Sequence, residues 1–245
     1  MKGRIFYDLH AHSFLSCGAD SPTRLILHAK RLGWHGLAIT DYYPININLF
    51  EKIKTIVKEN FKNFNLIFGV EIKTEKISDL KTAVKELRPI VDVILVNTND
   101  SAVARIAARD SRVDILAQDN LRKEKLDPVL FKLAAKSNIC FEINLRSLLQ
   151  TQGISRIQLL KLIHQEIQYV RRFQVKTIIT SGAYSWLDLR TPREVIALAK
   201  CLGLTKEEAL SAISTIPYDI ISSNRKRREP GFIAEGVRVV KEGTK

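Results

Sequence analysis

The chain has 245 residues, 45% hydrophobic and 27% charged, which is enough apolar material for a full core and too much for a disordered protein. No run of about 18 apolar residues occurs, which excludes a membrane-spanning helix, and nothing at the start reads as a signal peptide, so a cytoplasmic location is expected. The 39 lysines and arginines outnumber the 26 acidic residues and give a formal net charge of +13, a field that draws polyanions, nucleic acid first among them.

Three cysteines, Cys17, Cys140 and Cys201, are too few and too far apart for a disulfide framework. Cys140 and Cys201 sit in apolar runs and are expected to be buried free thiols.

Short apolar runs alternate with helical patterns along the chain. Residues 4–10 read as the first strand. Ser21-Pro22 opens a helix with Leu25, Ile26, Ala29 and Leu32 on one face, closed by Gly33. Residues 36–40 form the second strand, and Asn48 with Glu51 is expected to box the next helix. Residues 66–72 are strand three, followed by a helix from near Ser78. Residues 91–96 are strand four, and a short helix opens at Asp100. Residues 113–117 are strand five, and Asp127-Pro128, a cap followed by a first-turn proline, opens another helix.

Residues 139–145 are strand six. The longest helix is expected over 155–173, with Leu160, Ile163, Ile167 and Val170 facing inward. The β-branched run Thr177–Thr180 is strand seven, ended by Ser181 and Gly182. A loop carrying Tyr184, Trp186, Asp188 and Arg190 follows, and Thr191-Pro192-Arg193-Glu194 boxes the next helix. Thr205 with Glu208 boxes one more.

Alternation of this kind requires parallel strands, because a crossover helix returns the chain to the same edge. Seven or eight βα units close into an α/β, TIM-barrel-like fold; an open doubly wound sheet is the alternative. No glycine-rich phosphate loop occurs. From residue 222, SSNRKRREPGF breaks the pattern. The barrel is therefore expected over residues 1–221, with a basic, mobile tail over 222–245.

Polar residues follow the strands at the rim where such barrels place function: His10 and His12, Asp41, Glu71, Asn97, Gln118, Asn144 with Arg146, and Ser181. On an extended segment residues two apart point the same way, so His10 and His12 can reach one ion, with Glu71 adding a carboxylate. The opposing reading has both histidines hydrogen-bonded to polar groups of the rim. His28, His35 and His164 read as structural or solvated. Asp8 and Glu142 lie within strands and are expected to find ion-pair partners inside the barrel.

Trp34 and Trp186 read as core, with stacking on a base the alternative for Trp186. Arg146, Arg190 and Arg193, on the strand-six and strand-seven rim, are the expected RNA contacts, since guanidinium forks match phosphate oxygens. Arg225, Lys226, Arg227 and Arg228 form a charge run whose plain reading is a solvated tail; with RNA as partner they are expected to bind it too.

Asp8-Leu9-His10-Ala11-His12-Ser13, Thr40-Asp41 and Gly69-Val70-Glu71 resemble the PHP (polymerase and histidinol phosphatase) family of metal-dependent phosphoesterase barrels. That likeness implies a phosphoesterase site of His10, His12, Asp41 and Glu71. The pattern departs at the later ligands. Tyr42 stands where that family's histidine follows Thr-Asp, Asn97 and Gln118 end strands where histidines are expected, and Ser181-Gly182-Ala183-Tyr184 replaces Ser-Asp-Ala-His. His10, His12 and Glu71 cannot clamp two ions.

Over residues 4–224 the chain more closely resembles the archaeal and eukaryal ribonuclease P protein component 3 family, the thirty-kilodalton subunit. The residues that carry this are Phe141-Glu142-Ile143-Asn144-Leu145-Arg146-Ser147-Leu148-Leu149, Ile179-Thr180-Ser181-Gly182-Ala183 and the stretch 186–194, with 202–204 and 209–217. The resemblance implies a PHP-like barrel serving as a non-catalytic subunit of the ribonuclease P ribonucleoprotein, which removes the 5′ leader of precursor tRNA. Implied partners are the RNase P RNA, protein component 2 and the other protein subunits. Magnesium would serve the RNA of the holoenzyme, no catalytic residue is expected in this chain, and His10, His12 and Glu71 leave one residual divalent-metal site open. A PHP-type phosphoesterase with a reduced site is the rival reading.

Overall fold

Seven strands pair in sequence order, every pair parallel: β1 (Tyr7–Ala11), β2 (Gly36–Ile39), β3 (Asn65–Lys73), β4 (Val93–Asn97), β5 (Ile115–Ala117), β6 (Cys140–Asn144) and β7 (Thr177–Thr180). The computed structural model describes residues 4–117, 127–234 and 237–238; Gln118 lies outside them. A bridge between Ala11 and Ala183, with the His12 amide 2.7 Å from the Ala183 carbonyl, brings the two edges of the sheet together. The result is the nearly closed TIM-like barrel expected of repeated βα units.

The helices, in chain order, are α1 (Pro22–Arg31), α2 (Ile47–Asn60), α3 (Ile77–Leu87), α4 (Ser101–Ala107), α5 (Pro128–Lys136), α6 (Leu145–Gln150), α7 (Gly153–Phe173), α8 (Pro192–Cys201), α9 (Lys206–Ile213) and α10 (Thr215–Arg227). Ser21, Asp100, Asp127, Thr191 and Thr205 each cap their helix by accepting a first-turn amide, and the last two form complete capping boxes with Glu194 and Glu208. At α2 the cap is Asn46, which accepts from the Leu49 amide at 3.1 Å. Asn48 instead falls inside the first turn. Either asparagine has the side chain for the job, and the extended backbone of Asn46 decides between them.

Strand side chains alternate between two apolar layers. Tyr7, Leu9, Ala38, Ile67, Val93, Leu95, Ile115, Cys140 and Ile178 fill the barrel. Leu37, Ile39, Val70, Ile94, Val96, Phe141, Ile143 and Ile179 face the helices. On α7 the inward stripe takes Leu159 with Ile163, Ile167 and Val170, while Leu160 is 38% exposed. Cys140 is buried as expected. Cys201 is exposed, because it ends α8 away from the Val195, Ile196 and Ala199 stripe.

The barrel's lower end, at the amino ends of the strands, is closed by α10, whose Ile221 joins the interior cluster. This moves the expected boundary at 221/222. Asn224 is 3% exposed and donates to the Asp114 carboxylate at 2.7 Å and to the Asp92 carbonyl at 2.8 Å. Arg225 grips Asp92 through Nε and Nη2 at 3.1 and 2.9 Å, and Arg228 holds the same carboxylate and the Ile90 carbonyl. Residues up to 228 thus belong to the body of the fold, followed by a short hairpin, β8 (Phe232–Ala234) with β9 (Val237–Arg238). Residues 235–236 and 239–245, where part of the tail was expected, lie outside the described residues. No helix among the described residues is long and apolar enough to cross a membrane.

Candidate functional site

His10, in β1, and His12, just beyond its end, stand at the barrel mouth, buried to 3% and 1% exposure. Their Nε2 atoms are 3.0 Å apart, and Glu71 Oε2 from β3 lies 3.0 Å from the first and 2.9 Å from the second. The strand period of two places both rings on one side, as the His-x-His spacing predicts. The carboxylate of Glu142, on β6, sits 2.7 Å from His10 Nδ1 and accepts the Thr180 hydroxyl as well. Asn97, ending β4, donates to the other Glu71 oxygen at 2.7 Å.

Each imidazole nitrogen has one in-plane direction, carrying either a proton or a lone pair. With a proton on each Nε2, both rings donate to Glu71 Oε2 and hydrogen bonds satisfy the cluster. Without those protons the same three atoms could hold one cation. The surrounding carboxylates favour positive charge here, whether proton or ion. Burial opposes charge on His10, but Glu142 and Glu71 outweigh it and raise its pKa well above the ordinary value. Burial also pushes Glu71 up, and the two imidazoles more than reverse this, holding its carboxyl below the usual carboxylate range.

The rest of the expected phosphoesterase set does not converge here. Asp41 accepts the Ser13 amide at 2.7 Å and the Ser13 and Ser16 hydroxyls at 2.6 Å each, so it ties down the loop after β1. Asp8 finds backbone amides, His10 and Ser181 at 3.2 Å, where an ion pair was expected, and burial raises its pKa to about 6. Tyr42 and Tyr184 share a hydroxyl contact of 3.0 Å, their rings 4.7 and 4.9 Å from the His12 ring. They cover the side on which further ligands would have to stand. Gly182 has φ +56°, and a Cβ there would lie 2.3 Å from the Asn144 side chain, so this backbone has no room for a carboxylate-bearing residue.

Two rim arginines are already engaged. Arg146 lies with its guanidinium carbon 3.7 Å from the centre of the Tyr184 ring and Nη1 2.7 Å from Asp188. Arg190 Nη1 donates to the Leu187 and Leu189 carbonyls. Arg193 is exposed in the first turn of α8. Trp34 is buried with its indole N–H on the Arg190 carbonyl, and Trp186 stacks on His28 at 4.2 Å between ring centres. The Glu142 bond to His10 and the Tyr42–Tyr184 pair were missed in the sequence. A buried acid inside strand six signalled that some partner exists, and nothing local named it.

Fold and site together define a TIM-like α/β barrel whose mouth carries one buried cluster of two histidines and a glutamate, with two tyrosines against it. Within that class, the sequence model of the family described as RNase P subunit p30 matches residues 5–229, and the chain belongs to that family. Ribonuclease P protein component 3 of Methanosarcina barkeri is 34% identical over 239 residues, covering 97% of each chain. A chain in the cryo-EM structure of an archaeal ribonuclease P with mature tRNA has the same fold, with TM-score 0.81 at 22% identity, over 97% of this chain and all of that one. The histidinol phosphate phosphatase of Lactococcus lactis, crystallised with zinc, L-histidinol and phosphate, shares the fold at TM-score 0.61 and 12% identity, over 82% of this chain and 94% of that one.

Proposed function

We propose that this chain is a protein subunit of ribonuclease P that supports the catalytic RNA in removing the 5′ leader from precursor tRNA and performs no bond cleavage itself. The family match across residues 5–229 carries the reading. The crowded mouth supports the second half of it, since two-metal phosphoester hydrolysis needs both ions clamped. Its partners are then the RNase P RNA, protein component 2 and the other protein subunits. Affinity purification from the source organism at low salt should recover a structured RNA and small partner proteins, in an assembly that cleaves precursor tRNA. Recovery of neither RNA nor partner would remove the reading.

The triangle of Nε2, Nε2 and Oε2 favours a second reading, that His10, His12 and Glu71 hold one divalent ion. Glu142 orients His10, and Asn97 orients Glu71, as outer partners do around bound metals. Two imidazoles and a carboxylate suit zinc or a neighbouring first-row ion. Bound there, it would cross-link β1 to β3. Elemental analysis after dialysis against zinc should find about one ion per chain, and chelation should lower Tm. No retained metal and a Tm indifferent to chelator would exclude it.

A further inference from the structure

A further set of exposed cations lies at the other end of the barrel. Helices of a parallel barrel run back toward the amino ends of the strands, so helix C-termini share one face, opposite the His10 cluster. On that face Lys136 ends α5, Arg172 lies in the last turn of α7, and Lys226 and Arg227 in that of α10. Lys176 directly precedes β7, and Lys200 lies in the last turn of α8. All six are exposed.

Complementing a helix's negative end accounts for a cation at each terminus. It does not account for their lack of acidic partners. Among the described residues none of the six has a carboxylate within ion-pair distance. Other cations are paired: Arg88 and Arg171, at helix C-termini on the same face, with Asp114 and Glu208, and Arg24 and Arg146 at the mouth with Asp20 and Asp188. The charge run in α10 is divided in the same sense. Arg225 and Arg228 hold Asp92, whereas Lys226 and Arg227 project from the face.

Lys176 and Arg227 also meet at a cavity of about 160 Å³, beside Ser137, Asn138 and Ser223. Two acids line it: Asp219, and Asp114, which Arg88 and Asn224 already engage. Two cations with hydroxyl and amide donors around a small polar hollow are the chemistry that receives a phosphate group.

We propose that this face receives the phosphodiester backbone of an RNA, with the Lys176–Arg227 cavity seating one of its phosphates. The proposal rests on the ribonuclease P reading and names the surface that the reading requires. Unpaired cations on five separate elements around the barrel base suit a long polyanion better than one acidic side chain. They also keep their positions when the protein is free, because each stands at the end of a packed helix or strand.

The test measures binding of the full-length protein to a transcript of the source organism's RNase P RNA across a salt series, with phosphatidylserine vesicles as a second probe. For the wild type, log K should fall linearly with log salt. Combining Lys136→Gln, Lys176→Gln and Arg227→Gln should flatten that slope by about two units, at roughly 0.7 per lost phosphate contact. Arg190→Gln with Arg193→Gln should flatten it by less than about one unit. Tm should change little in the triple variant, since among the described residues its side chains lose no ion pair and only the weak attraction to the helix ends goes.

An unchanged slope in the triple variant, with wild-type RNA binding intact, would overturn the proposed surface and leave the subunit reading standing. A larger effect from the Arg190 and Arg193 pair would move the RNA to the mouth. Vesicle binding as tight as RNA binding, lost in the triple variant, would make the face a general anion surface and overturn the assignment to RNA. A wild type that neither binds the RNA nor restores cleavage in reconstitution would remove the subunit reading itself.

Discussion

Glu166 is buried in α7 at 1% exposure, and neither of its carboxylate oxygens has a hydrogen-bond partner. Burial pushes its pKa up to about 8, so at neutral pH the folded chain carries it protonated. Its ordinary value lies near 4.5. Below that value both folded and unfolded chains bind the proton and nothing is lost. As pH rises from there the unfolded chain releases the proton first, so stability falls until the folded pKa is passed, by on the order of 4 kcal/mol in all. Glu166→Leu should remove this slope and raise stability at pH 8 by a few kcal/mol while changing it little at pH 4.5. Urea unfolding at both values checks it, and equal effects at both would mean that the carboxylate stays charged. The position was legible in outline, since Glu166 falls on the same helical stripe as Ile163, Ile167 and Val170. That the site offers an acid no partner is a tertiary fact, beyond what spacing tells.

At the scale of elements, the seven strands were legible because each is a short, largely apolar run that alternates with a helical pattern. Their ends drift by up to three residues, as at β1, which begins at Tyr7 where residue 4 was expected. Caps read well wherever Ser, Thr or Asp preceded proline or stood three residues before glutamate. Among the helices, two did not read. The six residues of α6 leave no room for a helical period, and the cap, Asn144, is also the last residue of β6. In α10 the run Arg225 to Arg228 looked like a solvated tail, because the bonds that hold it are polar. Asn224 on Asp114 and two arginines on Asp92 leave no apolar stripe to find. Asp92 is therefore the residue on which closure of the lower end depends. It also accepts the Phe68 amide at 3.0 Å, and its partners hold its carboxyl below the usual range against the effect of burial. Asp92→Ala should cost about 2–4 kcal/mol, because it strands a backbone donor and two guanidinium groups together. A chain ended after residue 221 should lose at least as much. Denaturant midpoints within about 0.5 kcal/mol of wild type for both would show that Ile221 alone closes the barrel.

For the molecule as a whole, the barrel mouth is where the proposal of a subunit without bond-cleaving chemistry of its own can be tested. Three groups still converge: His10, His12 and Glu71. Asp41 is turned into the loop by Ser13 and Ser16, Tyr42 and Tyr184 bridge the opening, and Gly182 sits where its backbone and Asn144 admit no larger side chain. Among the described residues no second cluster of candidate ligands stands beside these three, so the purified chain should not hydrolyse simple phosphoesters such as p-nitrophenyl phosphate at any divalent-metal concentration that keeps it folded. His12→Gln keeps a polar group against Glu71 yet removes an imidazole ligand. If chemistry resides in the RNA, reconstituted ribonuclease P carrying this variant should cleave precursor tRNA within about threefold of wild type, since no side chain here clamps the pair of ions that phosphoester cleavage needs. Metal content and Tm should fall in the same variant if the cluster holds a structural ion, so the two readouts separate a role in stability from one in catalysis. A loss of several hundred-fold in cleavage, with Tm and particle assembly unchanged, would show that His12 takes part in the reaction and that this barrel remains an enzyme inside its ribonucleoprotein.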